Sequence, residues 1–125
     1  MADLTYTQLV AAATSLRDAL ARDAEGIAIR AQKMDEIAQD TARVADTISS
    51  LAVDQATVGE TREVATILRG IGNSAHSYAA AGNTTARVAG AVADQARTTH
   101  AGIQEQYRAA PVSLRGVNRT WLQQE

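Results

Sequence analysis

The feature of the sequence that most constrains the fold is a regular series of small and apolar residues between Val64 and Ile103. Its members are alternately three and four residues apart for almost six seven-residue repeats. This spacing is typical of a helix face that packs along a second helix. The series consists of Val64, Leu68, Ile71, Ala75, Tyr78, Gly82, Thr85, Ala89, Val92, Ala96, Thr99 and Ile103. It predicts close helix–helix packing rather than a pocket for a substrate.

A matching series occupies the first part of the chain and predicts a helix over residues 6–51. It consists of Leu9, Ala13, Leu16, Leu20, Ile27, Met34, Ile37, Thr41, Val44, Ile48 and Leu51. Asp23 and Arg30 are polar residues on the same track. They either reach the solvent from the edge of the seam or set the register of an oligomer. Ala24 and Ala31 lie next to them and are the alternative contact residues.

Helix-terminating residues divide the chain into three predicted helices. Thr5 or Thr7 can cap the first helix, and Asp54 can cap a second helix over residues 55–108. Pro111 predicts the end of that helix, and a short helix follows over residues 113–123. Because the connection after the first helix is short, the two long helices are expected to be antiparallel neighbours.

Pairing the two series predicts the packing of the hairpin. With Ile48 opposite Val64, large residues of one helix face small residues of the other, and Arg30 faces Gly82. Five glycines of the second helix cost about 1 kcal/mol each relative to alanine, and close packing is the expected reason. They are Gly70, Gly72, Gly82, Gly90 and Gly102. The residues predicted to line this seam or an oligomer interface are Arg30, Met34, Ile37, Ala75, Tyr78, Gly82 and Ala89.

The composition indicates that the hairpin is not the whole assembly. The chain has 125 residues, enough for one helical domain, and only 3% of them are aromatic. Much of the 46% hydrophobic content is alanine, so the core of a two-helix hairpin is thin. The predicted fold is therefore all-α: a long, coiled-coil-like antiparallel hairpin with a short C-terminal helix, completed as a bundle by homo-oligomerisation.

The charge balance argues against extended nucleic-acid or membrane binding. The chain has 12 basic and 14 acidic residues, giving a net charge of −2. A modest cluster toward the C-terminus still offers a possible partner or nucleic-acid contact: Arg97, His100, Arg108, Arg115, Arg119 and Trp121. The alternative is that these cations complement the dipole at a helix C-terminus.

No arrangement of residues in the sequence indicates an enzyme, a metal site or a cofactor. The two histidines, His76 and His100, are 24 residues apart on one predicted helix, or about 36 Å along its axis. Neither has a carboxylate three or four positions before it, and cysteine is absent. No Sec signal or membrane span is expected. We expect a cytoplasmic protein, with secretion without a signal peptide as the alternative.

Several residues in the second half carry a family resemblance. They are Val53-Asp54, Thr61, Val64-Ala65, Leu68, Gly70 and the run from Ala96 to Gly102. This pattern resembles small actinobacterial helical proteins labelled as conjugal-transfer proteins, although Gln55 replaces their usual proline. The resemblance covers residues 53–105. It implies an accessory role in plasmid or mobile-element transfer and no catalytic residue.

Three functional hypotheses follow from these observations. The first is a non-enzymatic assembly or scaffold protein, possible partners being other copies of the chain and a DNA-transfer complex. The second is a secreted helical hairpin of a type VII-like export system, although the predicted turn has no tryptophan and Leu122 follows Trp121. The third is a nucleic-acid-binding module that uses the C-terminal basic cluster.

Overall fold

The computed structural model describes residues 5–110, which form two long helices packed against each other as a hairpin. Helix α1 is Tyr6–Ser50, and helix α2 is Gln55–Ala109. The expected all-α fold and the pair of long helices are confirmed. The short helix expected over residues 113–123 lies outside the described residues. The chain divides into two compact units: unit 1 takes residues 5–21 and 84–110, and unit 2 is residues 22–83.

The start of α1 is fixed by a reciprocal capping box. The backbone N–H of Gln8 donates to Oγ1 of Thr5 at 3.2 Å, and the backbone N–H of Thr5 donates to Oε1 of Gln8 at 3.0 Å. This exchange satisfies two backbone donors at the helix terminus. Of the two threonines that the sequence offered as caps, Thr5 is the one in use.

The end of α1 is a Schellman turn built without glycine. The N–H of Val53 donates to the carbonyl of Ile48 at 3.2 Å, and the N–H of Ala52 donates to that of Ser49 at 3.3 Å. Ala52 has a φ of 60°, the left-handed conformation that this motif requires. An L-residue with a Cβ has a steric penalty in this conformation, which is why glycine usually occupies the position.

Asp54 caps α2, as the sequence predicted. Its Oδ1 accepts the backbone N–H of Thr57 at 2.9 Å, and its Oδ2 accepts the Thr57 hydroxyl at 2.7 Å. The backbone hydrogen bond, followed by the hydroxyl bond, lowers the pKa of the Asp54 carboxyl. At the other end α2 stops at Ala109, two residues before Pro111. Proline there disfavours helical geometry at Ala110.

The contact line between the helices is built from alanine. On each helix the most buried residues recur every seven positions. In unit 2 they are Ala24, Ala31, Ala38 and Ala45 on α1, and Val58, Ala65, Gly72 and Ala79 on α2. In unit 1 the α2 series comprises Ala86, Ala93 and His100. Ten alanines and Val58 form the buried hydrophobic core of the described residues, so the core is thin.

This contact line is rotated by one residue from the predicted seam. Ile37 precedes a buried alanine by one position and is 50% exposed, and Tyr78 is 67% exposed. The prediction that Ile37 and Tyr78 pack between the two helices was wrong, because it ranked large residues above alanine. Alanine forms the contact because its small side chain lets two helix backbones come close. The other half of the seam lies at the contact, half-buried or buried: Leu68, Ala75, Gly82 and Ala89.

The register of the hairpin also differs from the predicted pairing. A Cβ added to Gly82 would lie 3.2 Å from Cβ of Ala24, so Gly82 faces Ala24 and not Arg30. The reason is the tight turn, which leaves only residues 51–54 between the helices. Residues at similar distances from this turn face each other, and the pairing of Ile48 with Val64 would require a longer connection.

Close packing accounts for three of the five α2 glycines for which it was expected. Added Cβ atoms at Gly82 and Gly90 would each lie 3.2 Å from α1, and one at Gly72 would collide with the carboxylate of Asp35. Gly70 and Gly102 have nothing within 4 Å of an added Cβ. The packing explanation therefore fails for those two positions.

Candidate interaction surface

The alanine contact line divides the outer surface of unit 2 into two sides. A residue one position before a buried residue is rotated by about 100° around its helix. In an antiparallel pair, the residues one position before the buried residues of each helix therefore lie on the same side of the pair. Ile37 and Val44 on α1 therefore share one side with Val64, Ile71 and Tyr78 on α2.

We call this side the apolar side of unit 2. Its innermost residues are half-buried against the partner helix: Ile27, Met34, Thr41 and Ile48 on α1, and Thr61, Leu68, Ala75 and Gly82 on α2. Its outer residues, beside the exposed Asp23 and Arg30, are largely apolar: Ile37, Val44, Leu51, Val64, Ile71 and Tyr78. All six are at least 48% exposed. Large apolar side chains grouped in this way typically mark an interaction site.

The opposite side of unit 2 is polar and connects the two helices through polar and charged side chains. Asp35 Oδ2 lies 2.8 Å from Nε2 of His76, and its other oxygen lies over Gly72, where a Cβ would leave no room. Nearer the turn, Arg62 pairs with Asp46 at 3.4 Å. These two contacts occupy the side that the apolar residues do not, and they independently support the assignment of the two sides.

Asp23 and Arg30 are the two charged residues among the positions that define the apolar side. Both are exposed. Within the part of the chain that the structure describes, neither side chain forms a hydrogen bond or an ion pair. They lie on the same column of α1, seven residues apart. An otherwise apolar surface thus carries one positive and one negative group, both without a partner among the described residues.

The residues predicted to form one seam belong to two different environments. Ala89 is buried, and Met34, Ala75 and Gly82 are half-buried at the edge of the contact line. Arg30, Ile37 and Tyr78 are exposed. In unit 2, the predicted residues therefore lie on the apolar side, and only their inner members contact the neighbouring helix.

In unit 1, His100 is packed between the helices rather than exposed. It is 3% exposed, and its ring stacks on Tyr6 with centroids 3.8 Å apart and planes within 9°. Its Nε2 has no hydrogen-bond partner among the described residues. Sequence reasoning missed this stack because Tyr6 and His100 meet only through the hairpin register.

A cavity of about 570 Å³ lies beside this stack in unit 1. Its lining residues, most of them on the first turns of α1, are Tyr6, Thr7, Val10, Ala11, Thr14, Ser15 and Arg97. The buried Oγ1 of Thr14 has no partner among the described residues. Arg97, at the edge of this cavity, forms an exposed ion pair with Asp94 at 2.8 Å.

The predicted basic cluster is therefore not a continuous surface over the described residues. His100 is buried, Arg97 is paired, and Arg108 is exposed in the last turn of α2. Arg115, Arg119 and Trp121 lie outside the described residues. At the end of α2, Arg108 is placed to interact favourably with the helix dipole.

Residues 5–110 contain neither a metal-binding cluster nor a membrane-spanning helix. Over that range, no three histidine, aspartate or glutamate side chains are grouped closely enough to hold a metal ion. Neither helix there has a stretch apolar and long enough to cross a membrane.

Comparison with known proteins gives no relative: no family model, curated protein or solved structure matches this chain.

Proposed function

We propose that the protein is a non-enzymatic helical assembly protein whose hairpins associate through the apolar side of unit 2. The observation that supports this proposal is the grouping of exposed Ile, Val, Leu and Tyr side chains on one side of the hairpin. The polar side has the opposite character: Arg62 forms an ion pair with Asp46 across the helices, and the His76 ring contacts the Asp35 carboxylate. Such an amphipathic pair of helices has one side suited to solvent and one suited to a protein partner.

The thin core gives a thermodynamic reason for association. A buried alanine removes little more than one methyl group from water, worth about 0.8 kcal/mol. Ile37, Val44 and Ile71 leave about half of their surface exposed in the hairpin. Because full burial of such a side chain is worth about 1.5–3 kcal/mol, covering the exposed half adds about 1 kcal/mol each. The larger hydrophobic gain is therefore available only on association.

A second copy of the chain is the partner that this surface fits. Two apolar sides placed face to face bring four helices together, with the exposed Ile, Val and Tyr side chains in the centre. The polar sides then remain in contact with solvent. Homo-oligomers with a self-complementary patch are the commonest kind of soluble assembly, and such a patch needs no other gene product.

The biological setting rests on the family resemblance alone. The pattern between Val53 and Gly102 resembles small actinobacterial proteins labelled as conjugal-transfer proteins. We propose an accessory role beside a DNA-transfer complex, in which the assembled bundle acts as a scaffold. Direct nucleic-acid binding has less support, because His100 is buried and Arg97 is paired with Asp94.

A pair of matched variants tests the assembly. Ile37 and Ile29 are both on α1 in unit 2 and are 50% and 56% exposed, but Ile29 lies away from the apolar side. Ile37→Glu should weaken self-association about 100-fold or more. Each dimer loses about 2 kcal/mol of burial and must desolvate two carboxylates. Ile29→Glu, the control, should associate like the wild-type protein.

The measurement is molar mass by light scattering across a range of protein concentrations, with helicity by circular dichroism as a check on folding. Both side chains are largely exposed in the hairpin, so neither variant should lose helicity. If the two variants dissociate equally, or if neither dissociates, the assignment of the interface to the apolar side is contradicted.

A further inference from the structure

We propose that the segment after helix α2 folds back on unit 1 of its own chain and places Trp121 in the cavity beside Tyr6. The segment is residues 111–125, which follow the last described residue, Ala110. The cavity is the one of about 570 Å³ that lies along the first turns of α1. This inference concerns unit 1, and it does not depend on association of two copies of the chain through unit 2.

The cavity has the size and the lining of a site for a large apolar side chain. Its lining is apolar at Val10 and Ala11 and aromatic at Tyr6, whose ring stacks on the buried His100. A volume of about 570 Å³ lies within the range of pockets that bury most of a bound group. Apolar atoms that line an open cavity remain in contact with water, so covering them is favourable.

Two polar groups of the lining match an indole ring in particular. The buried Oγ1 of Thr14 has no hydrogen-bond partner among the described residues, which is uncommon for a buried hydroxyl. The N–H of a buried indole is a donor that needs such an acceptor. Arg97 can stack its guanidinium on an indole face while it keeps its ion pair with Asp94. An aliphatic side chain would leave the Thr14 hydroxyl unsatisfied, so the lining favours Trp121, the one tryptophan of the sequence.

The length of the segment allows this placement. Arg97 lies 13 residues before Ala110, or about 20 Å back along α2. Trp121 lies 11 residues after Ala110, and those residues span about 16 Å as a helix and up to about 36 Å as an extended chain. The distance back to Arg97 falls within that range. Because Pro111 cannot continue the helix, the chain can reverse direction there instead of running on away from the cavity.

The segment also has the apolar residues that docking requires, and its attachment favours its own cavity. Leu114, Val117 and Trp121 are three and four positions apart, the spacing of one face of the short helix predicted over residues 113–123. Attachment to Ala110 holds this face near the cavity at an effective concentration on the order of millimolar. The same segment of a second copy would have to compete with that concentration.

Fluorescence of Trp121 in the full chain tests the proposal, because no other tryptophan contributes to the signal. The emission maximum and the quenching constant for acrylamide are measured in the native and the urea-unfolded protein. The native protein should emit at shorter wavelength. Because quenching scales with the accessible fraction of the ring, burial of about two thirds of the indole should lower the quenching constant about threefold. Native values equal to those of the unfolded protein would overturn the proposal.

Matched lysine substitutions test whether the cavity is the docking site. Ala11→Lys puts a long, charged side chain into the lining, whereas Ala12→Lys makes the same change at a neighbour that does not line the cavity. Both alanines are exposed, so both variants should keep their helicity in circular dichroism. Because docking over the new charge would desolvate it, Ala11→Lys should raise the quenching constant about twofold or more, and Ala12→Lys should not. Equal effects of the two substitutions would show that Trp121 does not dock in this cavity.

Dilution distinguishes the chain's own segment from the segment of a second copy. Shielding of Trp121 within one chain should be independent of protein concentration, and it should persist in Ile37→Glu. Shielding that is lost on dilution, or lost in Ile37→Glu, would show that the segment docks on a second copy, and docking within one chain would then be wrong.

Discussion

Two glycines of α2 provide a direct test of how closely the helices approach each other. Gly70 and Gly82 both lie in unit 2, in the interior of the same helix. An alanine Cβ at Gly70 would have nothing within 4 Å. At Gly82 the same atom would lie 3.2 Å from Cβ and 3.9 Å from Cα of Ala24. A Cβ of alanine cannot rotate away, so relief of that contact requires movement of the backbone.

The magnitudes follow from two opposing effects. Replacing glycine by alanine in a helix interior stabilises the helix by about 0.8–1 kcal/mol, and this gain applies at both positions. Overpacking in a close contact costs about 1–3 kcal/mol, and this cost applies only at Gly82. Gly70→Ala should therefore raise the free energy of unfolding by about 1 kcal/mol. Gly82→Ala should leave it unchanged or lower it by up to about 2 kcal/mol.

The assay is urea unfolding followed by circular dichroism in the far ultraviolet. All proteins are compared at one concentration, because association contributes to apparent stability. The difference between the two variants is more informative than either value alone, since the helix-propensity gain cancels. Equal stabilisation by Gly70→Ala and Gly82→Ala would refute the close approach of the helices at Ala24.

Two further predictions concern the turn between the helices. Ala52→Gly should raise the free energy of unfolding by about 0.5–1 kcal/mol. Glycine removes the steric penalty at a φ of 60°, and this gain exceeds the cost of a more flexible unfolded chain. Urea unfolding measures the change, and a destabilised variant would contradict the Schellman geometry. Asp54 has a lowered pKa, so its carboxylate contributes stability that is present above the pKa of the unfolded chain, about 3.9, and is lost as the pH falls through the lower folded value. Asp54→Asn keeps an acceptor for Thr57 but removes the charge. The variant should have a lower free energy of unfolding than wild type at neutral pH, and this difference should shrink as the pH falls to about 3. A difference that does not change with pH would show that the charge of Asp54 is unimportant.

The ends of the helices could be predicted from the sequence because local chemistry determines them. Thr5 and Asp54 accept backbone hydrogen bonds at the starts of α1 and α2, and Pro111 cannot continue a helix. Each of these signals acts within a few residues of the boundary. The observed α1 and α2 bounds therefore differ from the predicted ones by one residue at two of their four ends.

The contact line could not be predicted in the same way. Periodicity weighted by hydrophobicity selects Ile37 and Ile71 over their neighbours Ala38 and Gly72. The residues that face the other helix are instead those small enough to let the backbones approach. That choice depends on the competition between two faces of the same helix, one that packs in the hairpin and one that is left exposed. A single sequence gives their combined signal and does not separate them.

The polar contacts also depended on information absent from the sequence pattern. Asp35 and His76 are 41 residues apart, and they meet only because the tight turn sets the register of the hairpin. The same register brings Tyr6 onto His100 in unit 1. The predicted basic cluster treated His100 as exposed, because the pattern placed Thr99 rather than His100 on the inner face.

Coverage of the apolar side of unit 2 by a second copy of the chain is the central proposal. Sedimentation equilibrium of the purified wild-type protein tests it most directly, because the method gives mass independently of molecular shape. We predict a mass of at least twice the 13.2 kDa of one chain, falling toward 13.2 kDa in Ile37→Glu. A wild-type mass of 13.2 kDa at every concentration, including those above the micromolar range, would contradict the proposal.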